Sequence, residues 1–167
     1  MTTTHTTMDS PIGELTLVAV DGTLSGVYFP GHWTRPDPAT FGERSNRGFE
    51  EAERQIAEYF AGARATFGLP LVRLGTDFHR KVWGLIERIS YGDTTTYGDL
   101  ARELGDPSLA RAVGRAVGHN PLSVIVPCHR VIGKNGQLTG YAGGLERKRF
   151  LLELETARYD APTPSLF

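Results

Sequence analysis

Apolar and polar positions along this chain change period several times, and each change marks an element. LTLVAV (15–20) and TLSGVYF (23–29) are β-branched, apolar-rich runs on either side of Asp21-Gly22. That pair supplies the positive φ angles a two-residue hairpin turn requires. From 30 to 48 the periodicity fades and breakers crowd the first nine positions, which predicts a long, mobile loop. A helix is predicted over 49–61, where Phe49, Ala52, Ile56, Tyr59 and Phe60 share one face and the acids and Arg54 take the other. A short strand around 65–69 then meets Pro70 and passes into a crossing linker. Thr76 or Asp77 caps a second helix with Phe78, Val82, Leu85, Ile86 and Ile89 at helical spacing and His79, Arg80 and Glu87 turned outward. A domain boundary falls near residue 75.

The stretch TTTYGDLARELGDPSLARAVGRAVGHNP (94–121) predicts two short helices across a tight turn. Thr96 caps the first, with Asp99 three residues on and Gly105 as its stop. Asp106 caps the second, with Pro107 at the first helical position, where a missing N–H costs nothing. This is a helix-turn-helix pattern, although a plain helical hairpin in a core reads the same way. The second helix offers small residues, Ala110 and Gly114 among them, with Arg111 and Arg115 as its only long polar side chains. A helix that reads base edges wants several Asn, Gln, Arg or Lys along its outer face. Small residues let a backbone approach DNA closely, and arginines four apart share a face. The pattern fits a helix that grips DNA without reading sequence. Tight packing explains the Ala and Gly equally well, but not the arginines. Further on, VIVPC (124–128) reads as a buried strand running into a stop, and a terminal helix begins near Leu145. The Pro-rich tail, from about 158, reads as flexible.

At 167 residues the chain suffices for one ordinary domain or two small ones sharing an interface. Its net charge of −1 argues for no partner, but the charge is segregated. Residues 107 to 149 hold seven Lys/Arg and one acid, and the remainder is acidic on balance. Such a surface suits nucleic acid on an otherwise acidic protein. No stretch approaches the roughly 20 apolar residues of a membrane span, and the start lacks the basic and apolar regions of a signal peptide. A single cysteine makes neither an internal disulfide nor a thiolate-rich zinc site, so no metal is expected and a cytoplasmic, reducing setting fits.

That cysteine lies in IVPCHRVIG (125–133). A lone thiol is usually an inert packing group. Here Pro127 breaks the strand just before Cys128, and His129 and Arg130 bring positive charge, which lowers a thiol pKa from about 8.5. Neighbours in a strand point to opposite faces, so His129 reaches Cys128 only if the backbone turns or a water relays the proton. His129 also needs an orienting carboxylate, for which Glu153 and Glu155 on the terminal helix are both available. Spacing does not choose between them.

PCHRVIG, together with TYGDLA and ARAVG…NP before it and YAGGLERKRFLLELE after it, resembles the 6-O-alkylguanine-DNA alkyltransferase family. The DSPIGELTL hairpin extends the likeness over nearly the whole chain. The resemblance implies a ribonuclease-H-like α/β domain over 1–75 and a mainly α, winged-helix-like domain with a helix-turn-helix over 76–157. It implies direct repair: Cys128 takes the alkyl group from 6-O-alkylguanine as an irreversible thioether, once per molecule and without a cofactor, with activity on 4-O-alkylthymine left open. His129 then matches the proton acceptor working through a water, and Glu155 its orienting acid. Arg111 resembles the finger that fills the space left by a flipped base, on a minor-groove helix with Ala110, Gly114 and Arg115. Tyr97 matches the donor towards the guanine ring, and Asn120 the brace of the turn joining that helix to the cysteine strand. Tyr141, Ala142, Gly143 and Gly144 match a lid loop. The Ala142 N–H would donate to the base oxygen, and the Cys128 and Val131 carbonyls would accept from its amino group. Lys148 fits the pattern without a role. Ser90 stands where proline is usual, and Ala142 where serine or glycine is commoner. The implied partner is alkylated duplex DNA bound by a monomer, with cooperativity along DNA left open.

Three rival readings remain. A non-catalytic damage sensor of this fold lacks the cysteine. A cysteine hydrolase needs a Cys–His pair from distant segments and an oxyanion hole. A helix-turn-helix regulator needs base-reading side chains. His32 and Trp33 are left as residues that touch DNA or nothing.

Overall fold

The computed structural model describes residues 2–32 and 34–160, so Trp33 and the end of the tail lie outside the described residues. The hairpin forms as expected: β2 (Leu15–Val20) and β3 (Thr23–Tyr28) pair antiparallel, with Val20 opposite Thr23. Asp21 at φ 49° and Gly22 at φ 81° make the turn, and aspartate tolerates the left-handed region better than most residues. Two further strands complete a four-stranded sheet in the order β3-β2-β1-β4. β1 (Thr3–Met8) runs antiparallel to β2, and the two-residue β4 (Glu43–Arg44) runs parallel to β1. β1, a Thr-rich run, was not anticipated; its β-branched threonines suit a half-buried strand.

The 30–48 loop is more ordered than its composition implies. Asp37 caps a 3₁₀ turn at Pro38–Phe41, which drops Phe41 onto the outer face of the sheet. There the Phe41 ring stacks on Tyr28 at 5.4 Å. Gly42 follows at φ 74°, and a Cβ there would lie 1.7 Å from the Thr3 carbonyl oxygen, so glycine alone lets the loop meet β1. His32 is buried against Tyr28 and therefore unavailable to DNA.

α1 (Glu50–Phe60) covers the inner face of the sheet through Ala52, Ile56 and Tyr59. The expected strand at 65–69 does not form. Gly68 is instead held at both backbone groups by the buried Gln55 side chain, and only Leu71 makes an isolated bridge to Leu24. α2 (Asp77–Ile86) is capped by Thr76, whose hydroxyl accepts from the His79 N–H. It buries Val82, Trp83 and Ile86, while His79, expected outward, is half-buried and stacks on the His119 ring.

α3 (Tyr97–Glu103) is capped by Thr96, and α4 (Ala110–Gly118) follows a 3₁₀ turn at Pro107–Leu109 capped by Asp106. Gly105 at φ 93° makes the reversal between them. α4 turns Val113, Ala116 and Val117 into the core, and the Trp83 indole N–H donates to the Ala116 carbonyl at 2.8 Å. The buried strand expected at 124–128 is absent. Val124 sits at φ 73°, a strained conformation for a β-branched residue, and Cys128–Arg130 form a 3₁₀ turn. Beyond it β6 (Val131–Ile132) pairs in parallel with β5 (Thr95–Thr96). α5 (Leu145–Asp160) closes the chain and continues through the first three residues read as tail.

One core runs through both halves, from Leu17 and Phe29 of the sheet through Trp83 to Val117, Val126 and Leu151. A backbone bond also crosses between the halves, from the Val27 N–H to the Pro121 carbonyl at 2.8 Å. Among the described residues no helix is long and apolar enough to cross a membrane. Trp83→Phe should lower unfolding free energy by about 1–3 kcal/mol, because it removes the indole bond to the buried Ala116 carbonyl, which keeps only the His119 N–H at 3.2 Å, and leaves a gap in the core. Urea denaturation checks this, and an unchanged midpoint would contradict it.

Candidate active site

Every residue from Pro121 to Arg130 is buried, although none of them lies in a strand. Asn120 makes that possible. Its side-chain N–H₂ donates to the Val126 carbonyl and its oxygen accepts from the Leu122 N–H, each at 2.9 Å. One buried amide thus satisfies backbone that has no ladder. At the end of this segment Cys128 is 2% exposed. Burial pushes its thiol up to about 12, against the opposing effects of the Asn120 amide and the nearby Lys148 charge. The adjacent His129 and Arg130 do not lower it, because both are directed to a carboxylate.

That carboxylate is Glu155. Its Oε2 accepts from His129 Nε2 at 2.6 Å, from Tyr59 Oη at 2.6 Å and from Arg130 Nη2 at 3.0 Å. Its Oε1 accepts from Arg130 Nε at 2.7 Å and from the Gly92 N–H at 3.4 Å. Burial alone would raise the Glu155 pKa, but the hydrogen bonds from His129 and Arg130 and the Arg130 charge outweigh it and hold the group well below the usual carboxylate range. An ionised carboxylate only accepts, so His129 carries its proton on Nε2. Burial lowers the His129 pKa in spite of Glu155, and the imidazole is neutral. Its Nδ1, fully buried and with no hydrogen-bond partner among the described residues, is left as a proton acceptor. Glu153 is exposed, so helix phase selects Glu155 of the two candidates.

Lys148, one helical turn before Leu151, is fully buried. Its Nζ donates to the Val131 and Thr139 carbonyls, both at 2.7 Å, and lies 5.9 Å from the centre of the Tyr97 ring. Burial lowers its pKa to about 8. The Val131 carbonyl, expected to face a base, therefore already accepts one bond, and the Cys128 carbonyl accepts from the Val131 N–H. A cleft of about 390 Å³ opens above, between Ala110, Arg111 and Gly114 of α4 and Tyr97, Thr139 and Gly140. Cys128 is not one of its walls. The Tyr97 hydroxyl lies across the cleft, 3.3 Å from the Thr139 carbonyl oxygen and 3.4 Å from that of Gly140. Tyr141 and Ala142 are buried beneath the loop. A Cβ at Gly143 would meet the Phe29 ring at 2.3 Å, so the loop rests on the N-terminal sheet only because residue 143 is glycine. Arg147 ties the two together by donating to the Ile12, Pro30 and Gly143 carbonyls.

On the outer face of α4, Arg111 and Arg115 are exposed. A Cβ at Gly114 would meet only Tyr97 Cδ1, at an ordinary 3.9 Å, and one at Gly118 would meet nothing. Packing therefore does not require these two glycines, and the outer face of α4 is open there. The basic segment is less of a surface than its sequence implies. Arg130 and Lys148 are buried and Arg147 is half-buried, which leaves Arg111, Arg115, Lys134 and Arg149 exposed. Sequence reasoning passed over Tyr59 as a site residue and saw only a core aromatic.

Residues 3–72 match the 6-O-methylguanine DNA methyltransferase ribonuclease-like domain, and residues 77–157 match the DNA-binding domain of the same proteins. A Mycobacterium tuberculosis methylated-DNA–protein-cysteine methyltransferase is 47% identical over 165 residues, covering 94% of each chain. The constitutive enzyme of that name from Bacillus subtilis is 42% identical over 160 residues, 93% of this chain and 96% of its own. The Mycobacterium tuberculosis OGT structure in complex with DNA superposes with a TM-score of 0.87 at 46% identity, over 93% of this chain and 94% of that one. With a ribonuclease-like α/β domain followed by a mainly α DNA-binding domain, the chain belongs to the 6-O-methylguanine DNA methyltransferase family.

The resting thiol should be inert. Its raised pKa leaves so little thiolate at pH 7 that iodoacetamide should modify native Cys128 at least about a hundredfold more slowly than a free cysteine. Timed mass spectrometry before and after urea unfolding measures the ratio; equal rates would show that the thiol is exposed or already ionised.

Proposed function

We propose that this protein reverses DNA alkylation by transferring the alkyl group of 6-O-alkylguanine, irreversibly, to its own Cys128. The observation that carries the reading is the chain from Glu155 to a neutral His129 with a free, buried Nδ1, next in sequence to the only thiol. The thiol needs a base, because burial has made it a weak acid. A water between Sγ and Nδ1 passes the thiol proton to His129, and Glu155 stabilises the imidazolium that results. The thiolate attacks the alkyl carbon in line. The carbon–oxygen bond breaks, its electron pair stays on the base, and a thioether forms on Cys128. No group here can return the thioether to a thiol, so one molecule repairs one lesion.

The buried position of Cys128 requires the base to leave the helix stack, at a cost of a few kcal/mol. Arg111 stands at the mouth of the cleft, beside open backbone at Gly114, and fills the space the base leaves. Ala110 and Arg115 complete the minor-groove contact. Tyr97 exchanges its lid carbonyls for the ring of the entering guanine, where negative charge develops as the bond breaks. Asn120 holds the cysteine turn against this movement, and the Ala142 N–H faces the base oxygen. The boundary near residue 75, a monomeric state and a cytoplasmic location go with this reading.

Duplex DNA carrying one 6-O-methylguanine, in excess over protein, should lose one methyl group per protein molecule and no more, and Cys128→Ser should remove none. Continuous turnover, or undiminished repair by Cys128→Ser, would overturn the proposal; tight lesion binding without repair would make the protein a sensor. Arg111→Ala should slow transfer from duplex by about tenfold or more while leaving reaction with the free base 6-O-methylguanine near wild type. Equal slowing of both would remove the finger role.

A further inference from the structure

We infer that Tyr59, carried by the N-terminal domain, is a positioning residue of the alkyl-transfer site, holding the Glu155 carboxylate in the one orientation that directs His129. The inference rests on the proposed function of Cys128 and His129.

Tyr59 lies 96 residues before Glu155 in the chain, on α1. Its side chain is fully buried, and its ring is held by Phe60 at 5.4 Å, Phe67 at 5.6 Å and Tyr91 at 6.2 Å. Tyr91 in turn lies 5.6 Å beneath the Arg130 guanidinium. One aromatic cluster thus supports both members of the Glu155–Arg130 pair. A buried phenol needs an acceptor somewhere, and that alone explains a bond. It does not explain the choice of atom, since Tyr59 shares Oε2 with His129 while Arg130 Nε takes Oε1. Three donors converge on Oε2, which fixes both the carboxylate plane and the lone pair facing the imidazole. With Nε2 committed there, Nδ1 is the free nitrogen.

The hydroxyl also tempers the carboxylate. A carboxylate with one donor fewer is more basic and holds the His129 proton more firmly, so Nδ1 empties at a higher pH. The other charged or titratable groups facing this pair are Arg130, Lys148, Tyr141 and Cys128. Tyr59 also faces Arg130 and Tyr141, and its replacement by phenylalanine leaves both of those side chains in place, so a shift in the acid limb reports on the bond to Glu155.

The test uses the full chain and single-turnover methyl transfer from duplex DNA across a pH series. Tyr59→Phe keeps the ring. It should transfer about tenfold more slowly near neutral pH, with its acid limb moved to higher pH and its affinity for lesion DNA unchanged. Phe67→Leu loosens the same ring but spares the hydroxyl, and should lower the melting temperature without moving the pH profile. In a Glu155→Gln background, adding Tyr59→Phe should cost no further rate. In wild type, by NMR, the Tyr59 hydroxyl proton should exchange slowly and lie close to the His129 ring, which tests the contact without any variant. An active wild type with an unchanged Tyr59→Phe profile, an equal loss in the Gln background, or a freely exchanging hydroxyl would overturn the role of Tyr59 alone. A wild type that transfers no methyl would instead overturn the reading of Cys128 as well.

Discussion

The ionised carboxylate of Glu155, taken out of water, is the constraint on which the rest of this structure depends. A buried charge is tolerated only when it is paired and its lone pairs are filled. Glu155 meets that requirement with four donor residues from three places: Tyr59 on α1, Gly92 after α2, and His129 and Arg130 on the cysteine turn. Satisfying one side chain thereby fixes the relative positions of the two domains, the turn and the terminal helix. The same bonds decide the tautomer of His129. Structural and chemical demands meet on two oxygen atoms.

A second consequence is a thiol that is safe at rest. His129 and Arg130, which would ionise Cys128, are held by Glu155, and burial outweighs the pull of the Lys148 charge, so the desolvated site favours the neutral form. In the proposed reaction the protein spends its one cysteine once, so protection from adventitious alkylation has direct value. Reactivity in that proposal depends on the entry of a base through the cleft that Tyr97 and the Thr139 and Gly140 carbonyls span. Lys148 supports the same lid from below by bonding Thr139 and Val131 together. The N-terminal sheet supports it from the side, through Phe29 against Gly143 and the reach of Arg147.

Features encoded by neighbouring residues were legible in the sequence. The Asp21-Gly22 turn, the Thr76, Thr96 and Asp106 caps and the apolar faces of α1 and α2 all depend on residues a few positions apart. What depends on distant partners was not. VIVPC has the composition of a strand, but the Asn120 side chain satisfies its backbone in place of a ladder, and no short window reveals that substitution. β1 and the Phe41 turn depend on distant partners, β2 and β4 for the strand and the Tyr28 ring for Phe41. On α5 the run Phe150, Leu151, Leu152, Leu154 leaves the apolar stripe ambiguous, so phase alone could not separate Glu153 from Glu155. Tyr59 fitted its helix face as core and gave no sign of the carboxylate it meets. The likeness of PCHRVIG and its surroundings to a known family carried the roles that local physics left open.

The central claim is that Glu155 holds His129 neutral, protonated on Nε2 and free on Nδ1. Nitrogen-15 NMR of the His129 ring in the full-length protein, followed from mildly acid to mildly alkaline pH, measures this directly. The account predicts one neutral Nε2–H tautomer at pH 7, with protonation displaced below the ordinary histidine value of 6.5. A ring carrying its proton on Nδ1, or an imidazolium persisting at pH 7, would contradict it, since neither could take the thiol proton.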